Sequence, residues 1–92
     1  MRRFIERVAA AGKVIASGYC PSCGRPLVFD DQKDSIYAYC QCDAFNFNGF
    51  KDLESGRLVL AYLTGDLEGT VDPAALRELE RALSRRASFA QS

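Results

Sequence analysis

The residues best able to do chemistry in this chain are four cysteines in two close pairs. Cys20 and Cys23 have two residues between them, and Cys40 and Cys42 have one. A stretch of 16 residues separates the pairs, which is enough for a β-hairpin to fold back and bring the thiols together. Zinc prefers a closed tetrahedral set of sulfur or nitrogen ligands, and four cysteines leave no open position for catalysis. The spacing therefore predicts one structural zinc ion.

Two other uses of the cysteines compete with zinc. A rubredoxin-like iron site also takes four cysteines, but its second pair should repeat the spacing of the first, and here it does not. Disulfides or free thiols are the remaining option. The charged start of the chain interrupts any signal-peptide core, and no apolar run is long enough for a membrane span. We therefore expect a cytosolic protein without membrane contact, in which disulfides are disfavoured.

The length and composition of the chain argue against several classes of function. At 92 residues the chain is one domain with a marginal core, which a metal ion would reinforce. Twelve basic and twelve acidic residues give a net charge of zero, so no overall field draws the protein to nucleic acid. Histidine, the commonest general base, is absent. The aspartates at positions 30, 31 and 34 are typical turn residues. We expect no enzymatic activity, no catalytic residue and no small-molecule substrate.

Two helices are predicted at the ends of the chain. In residues 2–16 apolar side chains recur at helical spacing, and Ser17-Gly18 ends the helix. Near the other end, Asp72 is a natural N-cap and Pro73 suits the first turn of a helix ending near Arg86. The apolar stripes are Phe4, Val8, Ala11 and Ile15 in the first helix, and Leu76, Leu79 and Leu83 in the second.

Short strands are predicted between the helices. Residues 26–29 and 35–39 form a hairpin around a polar turn at 30–34, and residues 44–47 form a third strand ended by Asn48-Gly49. Residues 57–63 are apolar enough for a fourth strand buried on both faces. The predicted class is α+β, a small antiparallel sheet flanked by two helices. Within this single domain the expected order is helix 1–18, cysteine-containing ribbon 19–48, strand and turns 49–71, helix 72–87 and tail 88–92.

The segment 19–48 resembles a known family. Its Cys20-Pro21-Ser22-Cys23-Gly24 knuckle, followed by a hairpin and a second cysteine pair, resembles the zinc ribbons of transcription factors, ribosomal proteins and many small prokaryotic proteins. The resemblance implies that the four cysteines hold zinc and that the ribbon faces contact protein or nucleic acid. The second knuckle departs from the family pattern, because one residue separates its cysteines instead of two. We expect its loop to be tighter.

Two surface patterns are candidates for partner contact. Arg77, Arg81 and Arg85 recur every four residues on the last helix and could meet phosphates or an acidic partner, although pairing with neighbouring glutamates would leave an ordinary solvated face. The aromatic residues of the ribbon alternate with smaller ones and could share one face of the sheet. We expect that face to pack under the helices in preference to stacking on bases. These aromatics are Tyr37, Tyr39, Phe45 and Phe47.

The function predicted from these features is non-enzymatic. We expect a zinc-ribbon adaptor or inhibitor that docks on a protein partner, which could be part of nucleic-acid machinery. The alternative is a zinc-ribbon regulator that binds nucleic acid through the basic helix face, and a purely structural subunit of a larger assembly is a third reading. Zero net charge favours the protein partner, because nonspecific affinity for nucleic acid comes from clustered cations.

Overall fold

One antiparallel sheet and two helices make up the fold. The computed structural model describes the backbone of residues 2–65 and 67–91, and the side chains of residues 7–65 and 67–85. The predicted α+β class is confirmed. In chain order the elements are α1 (Arg2–Ser17), β1 (Val28–Asp31), β2 (Ser35–Tyr39), β3 (Asn46–Lys51), β4 (Leu58–Leu63) and α2 (Pro73–Gln91). Within the described ranges, no helix has the length and apolarity needed to span a lipid bilayer.

The two helices begin and end on the signals that the sequence contains. Gly18 ends α1 with a φ of 80°, and its N–H donates to the carbonyl of Val14. The Asp72 carboxylate accepts the N–H of Ala75, which caps the start of α2. The backbone of α2 continues to Gln91, beyond the end near Arg86 that the sequence predicts. The side chain of Arg86 lies outside the described part of the chain.

The core lies between the helices and one face of the sheet. The sheet is a meander of order β1-β2-β3-β4. Both predicted stripes are largely confirmed, since all their members are buried except Leu83, which is partly buried, and Phe4, whose side chain is not described. Ile15 and Leu79 are fully buried, as is Phe47 on the sheet. This packing places α1 and α2 on a single side of the sheet.

The third strand corrects the sequence prediction. Residues 48 and 49 were expected to end it, but β3 runs through both to Lys51. A Cβ added to Gly49 would lie 2.8 Å from the side chain of Leu58 and 3.0 Å from the ring of Phe47. This glycine therefore supplies space for core packing, not a turn. The first strand also starts later than predicted, since Pro26 forms an isolated bridge with Tyr19 before β1.

The predicted single aromatic face is wrong. In the β2–β3 register Ala38 pairs with Phe47, whereas Tyr37 pairs with Asn48. Paired residues point to the same side, so Phe47 faces the core while Tyr37 and Tyr39 lie on the opposite face. Phe45, which precedes β3, is buried in the core. Burial of β4 on both faces is also wrong, because Val59 is 49% exposed.

Candidate metal centre

The first cysteine pair lies on a turn built by its own backbone. The N–H of Gly24 donates to the carbonyl of Cys20 at 3.0 Å, and the N–H of Cys20 donates to the carbonyl of Arg25 at 2.9 Å. Gly24 has a φ of 75°, a region that residues with a Cβ enter at a cost. The N–H of Ser22 also donates to the sulfur of Cys20. These bonds turn the thiols of Cys20 and Cys23 toward the same point.

The second cysteine pair lies on a tighter turn, as its spacing requires. The N–H of Asp43 donates to the carbonyl of Cys40 at 2.9 Å, three residues back instead of the four in the first turn. Asp43 takes the positive φ, 64°, that Gly24 takes in the first pair. Asp visits this left-handed region more readily than most residues. Removing one residue from the turn is therefore accommodated by a shorter hydrogen-bonded ring, and Cys42 still reaches the other thiols.

The four sulfurs meet in one cluster. All four Sγ atoms lie within 4.8 Å of one another, with Cys20 and Cys42 3.6 Å apart and Cys23 and Cys40 3.3 Å apart. A disulfide needs about 2.05 Å, so the thiols are free. A tetrahedron with metal–sulfur bonds of about 2.3 Å places its sulfurs about 3.8 Å apart. The four cysteines are thus positioned to bind a metal ion, and the dimensions are consistent with zinc.

The cluster has a buried side and an exposed side. Cys20 and Cys40 are 3% and 2% exposed and belong to the hydrophobic core, whereas Cys23 and Cys42 face solvent. The backbone N–H of Cys23 is the main influence that lowers the pKa of Cys20, to about 6. The backbone N–H of Cys42 lowers the pKa of Cys40, but burial and the neighbouring thiols outweigh it and raise that pKa to about 12. Metal binding requires thiolates, so it releases protons.

The aspartates near the β1–β2 turn have structural partners. Asp31 accepts a hydrogen bond from Lys51 Nζ at 2.6 Å, Asp30 accepts one from the side chain of Gln32, and Asp34 accepts one from the hydroxyl of Ser35. Among the described side chains, the cysteines form the one group of histidine, cysteine, aspartate and glutamate residues positioned to hold a metal.

The arginines of α2 have different surroundings. Arg77 donates to the carbonyl of Leu58 at 2.7 Å, and its Nε lies 3.0 Å from Glu80 Oε1 without hydrogen-bond geometry. Arg81 pairs with Glu78 on the exposed surface, and Arg85 is also exposed. The three arginines are therefore not equivalent. Arg77 is attached to β4, while the other two face solvent.

Glu80 is a structural residue that the sequence pattern does not reveal. Its carboxylate accepts the backbone N–H of Leu58 at 2.8 Å and a guanidinium N–H of Arg57 at 2.9 Å. Together with Arg77 it occupies the outer edge of β4 at Leu58, while farther along that edge Ala61 forms a backbone bridge with Thr70. Burial alone would raise the pKa of Glu80. The hydrogen bonds from Arg57 and Leu58 and the charges of Arg77 and Arg57 lower it by more, so the pKa of Glu80 lies below its usual value. No local spacing links Glu80 to a residue 22 positions away.

Comparison with known proteins gives no relative for this chain. Neither the protein-family models, nor the curated proteins, nor the solved structures contain a match. The class is therefore defined by the fold and the site alone. The chain is a small α+β domain with a four-cysteine cluster positioned for a metal ion, a combination compatible with a zinc ribbon.

Proposed function

We propose that this chain is a non-enzymatic zinc-ribbon domain, acting as an adaptor or inhibitor that docks on a protein partner. The observation that carries the proposal is the cysteine cluster, whose four sulfurs lie within 4.8 Å of one another and whose inner pair belongs to the core. Four thiolates fill a tetrahedral zinc site, so the metal would have no position left for substrate or activated water. In this proposal the ion stabilises the fold, and surface residues carry out the function by binding the partner.

The open face of the sheet favours a protein partner over nucleic acid. Tyr37 and Tyr39 lie on the side away from the helices, and so do Phe50 and Tyr62, whose rings meet edge to face with centroids 6.1 Å apart. All four are half-buried, so each exposes part of its ring. Aromatic platforms for single-stranded nucleic acid combine stacking with a positively charged groove. The strands contain one basic residue, Lys51, and it lies on the core side.

The experiment is affinity capture from lysate of the source cell, with and without nuclease. Protein capture that survives nuclease supports the proposal, and capture that depends on nucleic acid contradicts it. Tyr37→Glu places a charge on the open sheet face, and we expect it to abolish capture. Leu53→Glu is the matched control, because Leu53 is 66% exposed in the β3–β4 turn, outside that face. Both variants should first be shown by circular dichroism to keep the fold. Equal loss of capture in both would remove the sheet face from the proposal.

A further inference from the structure

A basic groove lies between α2 and the start of β4. It has a volume of about 540 Å³ and is lined by Arg57, Arg77, Glu80, Arg81, Ser84 and Arg85. Four arginines and one glutamate thus line the groove, and Glu80 lies beside Arg57 and Arg77. Arg57 comes from the segment before β4, so the groove is a product of the tertiary fold and differs from the three-arginine stripe of the helix sequence.

Two arginines of the groove are held by contacts within the fold and two are available to a ligand. Arg57 donates to the carboxylate of Glu80. Arg77 is held against β4 by its bond to the carbonyl of Leu58. Arg81 is 63% exposed at its side chain, and the glutamate it contacts, Glu78, is 60% exposed. Exposed ion pairs of this kind are weak and exchange readily. Arg85 makes no ion pair with any side chain that the structure describes. Arg81 and Arg85, one helical turn apart, can therefore turn toward a ligand.

We infer that this groove binds an acidic segment of the protein partner, an inference that rests on the proposed function. Charge complementarity gives the chemistry, since carboxylates on an extended peptide match the fork of donors that each guanidinium presents. Arg81 and Arg85 contact the segment, Arg57 borders the other wall, and Arg77 keeps that wall in place through Leu58.

The shape of the basic surface favours a peptide over nucleic acid. Binding a nucleic-acid backbone needs cations along several successive phosphates, and affinity grows with the number neutralised. Here four arginines line the groove, the chain as a whole has no net charge, and Glu78 and Glu80 lie on the same helix as three of these arginines. A short segment with two or three carboxylates satisfies the groove, whereas a longer polyanion would meet these glutamates.

Fluorescence anisotropy with the zinc-loaded full chain tests the inference. The probe is a labelled peptide in which glutamate alternates with serine, and the matched peptide has glutamine in place of glutamate. We expect the glutamate peptide alone to bind, and its affinity to fall as salt rises. R81Q/R85Q should weaken binding roughly tenfold, equivalent to about 1.4 kcal/mol. The control R25Q/K33Q removes two exposed charges outside the groove and should bind as the unaltered chain does.

Three results of the anisotropy measurement would overturn the inference. These are no binding of the glutamate peptide, equal weakening in both double variants, or tighter binding of a labelled single-stranded oligonucleotide of mixed sequence. Nuclease-resistant capture that R81Q/R85Q leaves unchanged would also overturn it, while the proposed function would stand. Failure of the unaltered chain to capture any protein would instead count against the proposed function itself.

Discussion

The cysteine end of the molecule and its helix-covered half are held together by different means. Around the thiols, residues 21–26 and 41–44 are all exposed, and the backbone is fixed by a few turn hydrogen bonds. In the other half α1, α2 and the sheet enclose fully buried side chains such as Ile15, Phe47 and Leu79. The comparison shows that the helical half packs around apolar side chains, whereas the cysteine end has few of them, so a metal ion bound by the four cysteines would stabilise that end most.

Removing the metal should produce the largest effect and break the cysteine end first. Structural zinc in small domains contributes about 10–16 kcal/mol of apparent binding free energy, which is also folding free energy. We expect chelation, or Cys20→Ser, to abolish the ordered turns and lower the melting temperature sharply, as followed by circular dichroism and amide exchange. Ser22→Ala, in the same turn but outside the cluster, should leave melting nearly unchanged. Identical melting with and without chelator would contradict this account.

Crowding the core tests the helix-covered half. Gly49→Ala places a methyl group 2.8 Å from the Leu58 side chain, and overpacking of this kind costs about 1–3 kcal/mol. Gly12→Ala is the matched control, because its Cβ would meet Ala82 at 3.9 Å, an ordinary contact, and alanine favours the helix. Chemical denaturation of both zinc-loaded variants should show Gly49→Ala destabilised and Gly12→Ala unchanged or stabilised. Equal stability would mean that the sheet yields at Gly49.

The contacts of Glu80 at the edge of β4 should make the free energy of unfolding depend on pH. The folded-state pKa of Glu80 is lowered, so its contribution is fully present above its unfolded pKa, about 4.3, and is lost as pH falls through the lower folded value. We expect Glu80→Gln to cost about 1–2 kcal/mol at neutral pH, and the difference from the unaltered chain to shrink below about pH 4. Chemical denaturation of both proteins at several pH values measures this difference in the free energy of unfolding, and Glu54→Gln, at an exposed position, is the control. A difference constant with pH would contradict the assignment.

The smallest expected effect on stability distinguishes the turn of Cys20 and Cys23 from the turn of Cys40 and Cys42. Gly24→Ala forces a Cβ into a backbone with φ 75°, which should cost about 1 kcal/mol. Asp43→Gly relieves the same conformation in the second turn and should change stability by only a few tenths of a kcal/mol. Denaturant melts of the zinc-loaded variants would measure both. Equal destabilisation by the two changes would show that the Asp43 side chain, and not its backbone conformation, matters in the second turn.

The sequence predicted the features that depend on local signals. Helix ends at Gly18 and Asp72 follow from capping chemistry, and the cysteine spacing indicated the sulfur cluster. The predictions that depend on strand register were wrong. The side of the sheet on which Tyr37 lies is decided by its pairing with Asn48, which the sequence does not specify. Gly49 looked like a turn residue because composition does not reveal the side chains that later surround it.

Polar contacts between residues far apart in the chain also could not be predicted from the sequence. The bond between Glu80 and the N–H of Leu58 joins residues 22 positions apart and depends on how α2 packs on β4. The same packing brings Arg57 beside the arginines of α2 and so creates the groove. Neither follows from helical periodicity, which places residues on a face but does not say which element covers that face.

The most direct test of the account is the metal content of the protein purified under reducing conditions. Elemental analysis should give one zinc per chain, as expected for a single closed four-thiolate site. A titration of zinc into the apo-protein should restore the native circular dichroism spectrum with an endpoint at the same ratio. Protein that is folded and free of zinc, or that contains iron in its place, would contradict the central claim that this domain depends on a zinc ion held by its four cysteines.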